Sequence, residues 1–311
     1  MSAFINEIED VINQEQKLIR KIIQKKFPNP LEEGCTEFNE ISSLQDRIIL
    51  GAVITNTLDK SFSYLKSHDS VFDYGNNKLL TPSLAWDKEI YYNIMPFYFE
   101  VAGNSNIDAF DLADFSYCRF KVNWYPNFTD IIKNKSLNNI CCMPKIKNGD
   151  DLIEIFELWK KILLEELIQN YITKMNDVGF TNYKIDKTTR KKLALLLEKL
   201  PLCKIVNVLC FTTDSVCRYY KNNCITKKHA ANTVLRRTES FVEKTIIEDK
   251  KIKDSIRNKN CPPSALSVYF FKYVVPIFDK AFFTIPSLDI IKKFYRDPVA
   301  QVISTVHSFD S

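Results

Sequence analysis

LCKIVNVLCFTTDSVCRYYKNNCITKKHAANTVLRRTESFVEKTIIEDK, residues 202–250, is the segment that decides the fold class of this chain. Helical signals predominate in it, and they predict helices at 202–222 and 227–250. The turn between them, residues 223–225, contains no glycine, and Thr226 is a suitable N-cap for the second helix. The segment therefore predicts two helices joined by a short turn.

Helical patterns continue on both sides of this segment. An amphipathic pattern predicts a helix over 1–27, which Pro28 and Pro30 would end. Further helices are predicted at 44–65, 83–101, 151–176, 187–200, 263–283 and 287–307. The candidate starts are Ser42 or Ser43 for 44–65, Asp150 or Asp151 for 151–176, Asp186 for 187–200, and Pro262 and Pro263 for 263–283.

The predicted fold class is mainly α, a bundle-like arrangement with two subdomains. Residues 144–149 are typical of a linker, which places a boundary near residue 145. We expect a mostly helical, aromatic-rich domain over 1–145 and an all-helical domain over 146–311, with the basic segment inside 202–260. Polar and apolar residues alternate over 116–124, which predicts at most a minor β element there.

Composition excludes several classes of enzyme. The chain has 6 glycines in 311 residues and none are clustered, so P-loop, Rossmann and kinase-type nucleotide sites are absent. Its 3 histidines, His68, His229 and His307, are widely separated. We expect no cofactor, and the sequence favours a non-enzymatic role.

The cysteines indicate a reducing compartment. Cys203, Cys210, Cys217 and Cys224 recur every seven residues, so neighbours on a helix would lie roughly 10 Å apart, too far for a disulfide. We expect them to be small buried apolar residues with free thiols, in a cytoplasmic protein. The chain has no apolar run long enough to span a bilayer and begins with an acidic segment unlike a secretory signal, so we expect no membrane contact.

A basic stretch over 218–259 is the main candidate functional region. It holds twelve lysines and arginines against five acidic residues, although the whole chain carries only +5. Such a patch is typical of a surface that binds the phosphate backbone of nucleic acids. The candidate contact residues, on a helix-turn-helix-like pair, are Arg218, Tyr219, Lys221, Lys227, Lys228, Arg236, Arg237 and Lys244.

This pattern favours a nucleic-acid-binding accessory protein, and two other readings of the basic stretch stay open. The residues could form an ordinary solvated helix face or a surface for an acidic protein. The high Lys, Asn and Ile content is compatible with an AT-rich source such as a bacterial mobile element, phage or virus.

An alternative function is that of a protein-interaction module, such as an inhibitor, an immunity protein or a complex subunit. The dense aromatic residues of 86–99 or the amphipathic helix at 1–27 would then bind the partner.

A remote alternative is a metal-dependent enzyme. Asp108, Asp111 and Asp114 are spaced at i, i+3 and i+6, so on a helix they would share one broad face. Two of them could then hold a magnesium ion together with substrate phosphates. A solvated acidic face explains the same spacing without a metal.

Overall fold

The computed structural model describes residues 2–29, 36–73, 75–76, 78–133, 135–181, 183, 185–223 and 226–296, with side chains from residue 11 to residue 295. The fold is mainly helical with a small two-stranded antiparallel sheet, so the predicted class is confirmed. The chain divides into two compact units. Unit 1 comprises residues 1–80 and 84–142, and unit 2 comprises residues 81–83 and 143–311.

Unit 1 is built from short elements around one buried helix. Its helices are α1 Ser2–Lys26, α2 Leu44–Thr57, α3 His68–Val71, α4 Leu84–Glu89, α5 Met95–Tyr98 and α6 Thr129–Ile132, and its strands are β1 Phe99–Val101 and β2 Trp124–Pro126. Helix α2 is the centre of the core, because Leu50, Val53 and Ile54 are completely buried. Burial of such side chains is the main favourable contribution to folding.

The helix predicted over 44–65 is too long. Helix α2 ends at Thr57, and Leu58 and Leu65 then face each other in an antiparallel bridge. Leu65 also pairs with Trp124, which is remote in sequence, through two backbone hydrogen bonds of 2.8 and 3.0 Å. The apolar spacing continues past Thr57 because these leucines are buried by tertiary pairing rather than by a helix face.

The sheet lies close to the predicted β element but is not the predicted strand. Strand β1 pairs antiparallel with β2, with Phe99 opposite Pro126. The alternating run 116–124 overlaps β2 only at Trp124, and the preceding residues form turns in which Cys118 O accepts from the N–H of Val122. Within the run the backbone pairs at one point, where Tyr117 forms an isolated antiparallel bridge with Phe110.

The helix predicted over 83–101 is also interrupted. Helix α4 passes into a π-helical turn at Ile90–Ile94, then into α5, and the chain becomes extended at Phe99. Pro96 lies in the first turn of α5, where a missing N–H costs nothing. The segment therefore changes direction several times instead of forming one straight helix.

Unit 2 is helical throughout its regular elements. They are α7 Gly149–Asp177, α8 Lys187–Lys199, α9 Leu202–Asn222, α10 Lys227–Ile247, α11 Ala265–Tyr269 with a π-helical turn at Phe270–Val274, a 3-10 segment at Phe278–Phe283, and α12 Leu288–Arg296. Helix α7 packs against α8, α9 and α12. The helix predicted at 287–307 agrees as far as Arg296, and its remainder lies outside the described residues.

The prediction over 263–283 is wrong in detail. Helix α11 begins after Ser264, whose Oγ accepts the N–H of Ser267, so the two prolines do not open it. The π-helical turn ends at Val274, and Pro276 cannot supply the N–H that a continuing helix requires. A separate 3-10 segment follows.

Helix capping follows the sequence in most places. Helix α7 is capped by Asn148, whose side-chain oxygen accepts the N–H groups of Asp150 and Asp151, so neither aspartate is the cap. Both acids instead lie in the first turn, where negative charge interacts favourably with the helix dipole. The caps that are confirmed are Ser43, Asp186 and Thr226.

After α10 the chain returns along the helices of unit 2 without regular structure. Ser255 N–H donates to Cys203 O over 3.2 Å, and Arg257 pairs with Glu166 on α7. The residues of this return segment, 251–260, therefore connect the end of α10 to α7 and α9.

The cysteines of α9 are partly as predicted. Cys203 and Cys217 are buried and unbridged, whereas Cys210 is half-buried and Cys224 lies outside the described residues. Burial and a hydrogen bond to Asp254 together raise the pKa of Cys203 to about 12.

Among the described residues, no helix is both long and apolar enough to cross a membrane.

Candidate nucleic-acid interface

Helices α9 and α10 form an antiparallel hairpin. Tyr219 meets Arg237, and Phe211 meets Phe241 about two turns of helix further along α9, with ring centroids 5.4 Å apart. The two helices therefore stay in contact well beyond the connection.

A buried hydroxyl pair supports this packing. Thr212 Oγ1 and Thr238 Oγ1 are 2.7 Å apart, and each also bonds a carbonyl oxygen of its own helix. The small residues Ala230 and Ala231 are buried on α10 near the connection, where they permit close approach of the helices.

The long contact between α9 and α10 resembles a helical hairpin more than a helix-turn-helix. In a helix-turn-helix the two helices cross at about 90–120°, so they separate soon after the turn. Here the apolar stripe of α10 continues through Val242 to Thr245, and both residues are buried. A stripe of that length keeps the two helices side by side.

Five of the eight candidate contact residues meet at one end of the hairpin. Arg218, Tyr219 and Lys221 lie within the last five residues of α9, and Lys227 and Lys228 lie in the first turn of α10. All five side chains are exposed. We call this cluster the hairpin tip. The N-terminus of a 21-residue helix adds a partial positive charge there, which also attracts anions.

Arg237 joins the hairpin tip through an aromatic ring. Its guanidinium lies over the ring of Tyr219, 5.3 Å from the centroid, and that tyrosine is 46% exposed. The neighbouring Tyr220 is half-buried and packs on Phe180 with centroids 6.0 Å apart. Tyr219 therefore offers part of its surface to a ligand, while Tyr220 anchors the end of α9.

Two acidic residues lower the positive charge beside the tip. Arg218 and Lys221 line a shallow cavity of about 330 Å³ together with Asp177 and Asp214. Asp214 pairs with Lys174 over 2.7 Å. Burial lowers the pKa of Lys174, but the hydrogen bond and charge of Asp214 outweigh that effect and raise it. The three basic residues Arg218, Lys221 and Lys174 and the two aspartates together carry a net charge of +1.

The other candidate residues do not join the tip. Arg236 follows Leu235 on the solvent-facing side of α10, one position and so about 100° around the helix from Arg237. Lys244 lies about 25 Å along the axis from Lys227, and its Nζ is 3.8 Å from a Glu248 oxygen. The basic stretch is thus divided into a compact tip and separate residues.

The Asp-rich run does not form the predicted helix. Asp108 lies in a single 3-10 turn, and Asp111 and Asp114 lie in the turns that follow. Asp111 accepts the N–H of Ala113, and Asp114 accepts that of Ser116, which lowers the pKa of Asp114. Within the described part of the chain, no group of three or more His, Cys, Asp or Glu could hold a metal.

The aromatic region over 86–99 is mostly core. Trp86, Tyr91 and Phe99 are buried, whereas Tyr92 and Phe97 are exposed, Phe97 to 83%. The density of aromatic residues therefore reflects the interior of unit 1, with two rings left on its surface.

Helix α1, in contrast to the aromatic region, leaves several apolar side chains exposed. Val11, Ile12, Leu18 and Ile22 are apolar and exposed, with Val11 at 65% and Leu18 at 60%. Ile23, in the last turn, is buried. An exposed apolar stripe of this kind on a helix is typical of an interaction surface.

Unit 2 contains a cavity that no sequence pattern indicated. A cavity of about 720 Å³ lies between α7 and α8, with Phe156, Leu164 and Leu197 among its apolar walls and Lys160 and Arg190 at its polar side. Arg190 is paired with the buried Glu165 of α7. The walls of the cavity come from α7, from α8 and from the distant residues Ile285 and Pro286, so no local pattern could reveal it.

Comparison with known proteins gives no relative: no family model, no curated protein and no solved structure matches the chain.

Proposed function

We propose that this chain is a nucleic-acid-binding accessory protein that contacts the phosphate backbone with the hairpin tip. The observation that carries the proposal is the meeting of Arg218, Lys221, Lys227 and Lys228 at the N-terminal end of α10. Lysine and arginine side chains that neutralise phosphates release counterions, which drives binding. The seven cysteines in the described residues are all unbridged, which supports a cytoplasmic location.

The tip also contains a group suited to unpaired bases. Tyr219 is 46% exposed and has the Arg237 guanidinium over its ring, and both aromatic rings and guanidinium planes stack on bases. Phosphate contacts through lysine carry no sequence information, so the tip favours binding that depends weakly on sequence.

The test is a titration of labelled duplex DNA, single-stranded DNA and single-stranded RNA, followed by fluorescence anisotropy at several salt concentrations. We expect log Kd to rise linearly with log salt, with a slope of about 0.9 per neutralised phosphate on duplex DNA. The variant Lys227→Glu/Lys228→Glu should weaken binding at least tenfold at low salt and flatten the slope.

A matched control reverses the same charge elsewhere. Lys251→Glu/Lys253→Glu changes two exposed lysines of the return segment and should leave affinity within about threefold, since screening weakens charges beyond about 10 Å at 0.1 M salt. Equal loss in both variants would indicate a nonspecific charge effect. Parent-like binding by the tip variant, with an unchanged circular dichroism spectrum, would refute the proposal.

A second candidate function is a protein-interaction module, and the exposed apolar residues of α1 favour it. Helix α1 would supply the contact, because Val11 and Leu18 are unburied in the chain by itself. Retention of a partner by the parent chain but not by Leu18→Asp would support this function. If both proteins behave identically in that experiment, the α1 surface is not a partner site.

A further inference from the structure

Among the side chains of α1 that the structure describes, residues 11–26, those that pack on unit 1 lie near the end of the helix. Phe27, just after the helix, packs on Phe110 and Tyr117 with ring centroids 5.3 and 6.0 Å away, and Ile23 is buried in the last turn. Residues 11–22 are exposed except for the half-buried Ile19. A stretch of about 18 Å of helix thus has a free side.

The exposed apolar residues repeat with a coiled-coil spacing. Val11 and Leu18 are seven residues apart, Ile22 follows four residues later, and Glu15 lies between them on the same face. This is the a/d spacing with which one helix packs into another. The face therefore fits a second amphipathic helix.

The order of acidic and basic residues along α1 indicates which kind of helix could pair with its exposed face. The acidic residues Glu7, Glu9 and Asp10 precede the midpoint of α1 in the sequence, Glu15 lies just after it, and the basic residues Lys17, Arg20, Lys21, Lys25 and Lys26 all follow. Two copies in parallel would place like charges side by side. Two antiparallel copies place the acidic half of each beside the basic half of the other, which favours that orientation.

We propose that this protein forms a homodimer through antiparallel pairing of α1 with α1 of a second copy. The inference refines the second candidate function by naming the partner, and it does not depend on nucleic-acid binding. A lipid surface fits less well, because helices that lie on anionic membranes carry basic residues along the whole polar face. In the sequence of α1 the basic residues are instead confined to residues 17–26, and residues 7–10 carry three acids.

The first experiment measures mass against concentration by sedimentation equilibrium at low and high salt. The parent should change from monomer to dimer as concentration rises, and Leu18→Asp should shift the dimer dissociation constant upward at least tenfold. Asn13→Asp is the matched control: it adds the same charge to the side of α1 facing away from the stripe and should dimerise like the parent.

The second experiment determines orientation by oxidative cross-linking, with the parent chain as background for its own cysteines. In an antiparallel pair centred on the apolar residues from Val11 to Ile22, Glu15 of each copy lies beside Leu18 of the other, and the two copies of Glu15 are only about 5 Å apart along the axis, whereas the two copies of Lys25 lie about 26 Å apart. Glu15→Cys should therefore cross-link and Lys25→Cys should not. Cross-linking of both would show parallel pairing and overturn the proposed orientation.

Three further results would overturn self-association. One is a parent that stays monomeric up to the highest concentration reached. Another is a monomer that floats with anionic phosphatidylserine vesicles in a Leu18-dependent manner, which would assign α1 to a lipid surface. The third is a monomer that retains a different protein through Leu18, which would preserve the interaction module while excluding the homodimer.

Discussion

Replacement of Arg257 by alanine should destabilise unit 2 more than the loss of any surface ion pair. Arg257 Nη1 is 3.0 Å from Glu166 Oε2, and the guanidinium also lies over the ring of Phe282, 4.5 Å from its centroid. Glu166 is 1% exposed, and its other carboxylate oxygen has no hydrogen-bond partner among the described residues. Arg257→Ala would therefore leave a buried carboxylate without its counter-ion.

Removal of one partner of a buried ion pair costs about 3–5 kcal/mol. We expect the lower end, about 3 kcal/mol, because a quarter of the Arg257 side chain is exposed. For a unit of this size the corresponding fall in Tm is about 6–12 °C. Thermal and urea unfolding, followed by circular dichroism, would measure it.

Two variants make this prediction specific. Lys192→Ala removes a more exposed pair with Glu239, at 2.7 Å, and should cost at most about 1 kcal/mol. The double variant Glu166→Met/Arg257→Met removes both charges and should recover much of the lost stability. If Arg257→Ala is no less stable than Lys192→Ala, the buried pair does not stabilise unit 2 as argued.

Three further predictions concern α8, α9 and α10. Thr213 is fully buried and its hydroxyl has no partner among the described residues, so Thr213→Val should be neutral or stabilising in urea unfolding; a loss above 1 kcal/mol would contradict this. Thr238→Val removes the hydroxyl that meets Thr212 and should cost about 1 kcal/mol in the same assay; an unchanged midpoint would contradict it. Hydrogen bonds from Thr189 lower the pKa of Asp186, so its capping stabilises the protein above the unfolded pKa of about 4; the advantage over Asp186→Ala should disappear as the pH falls through the lowered pKa, and an advantage independent of pH would refute it.

The helices of unit 2 could be predicted from sequence because local patterns determine them. The apolar stripe of α9 and the capping hydroxyl of Thr226 are both local, and the predicted bounds 202–222 agree with the structure. In unit 1 the backbone responds to distant residues instead. The end of α2 depends on the bridge between Leu65 and Trp124, about sixty residues apart, and no local pattern contains that information.

The same distinction between local and distant contacts applies to the candidate site. Arg218, Lys221, Lys227 and Lys228 come together because a short connection joins the ends of two helices, which the sequence indicates directly. The position of Arg257 was not predictable, since Arg257 lies in the irregular return segment and its partner Glu166 lies on α7, 91 residues earlier in the chain. Its charge was counted in the basic stretch, although it is neutralised within unit 2.

The end of α1 packs closely on unit 1 because residue 103 is a glycine and has no Cβ atom. A Cβ on residue 103 would lie 2.6 Å from the carbonyl oxygen of Phe27 and 2.9 Å from Cα of Gln24, both backbone atoms that cannot yield easily. At Gly149, by contrast, a Cβ would meet nothing within 4 Å. Substitution of Gly149 by alanine should therefore be tolerated. Substitution of Gly103 by alanine should not, because the added methyl group would displace the end of α1 from the rest of unit 1.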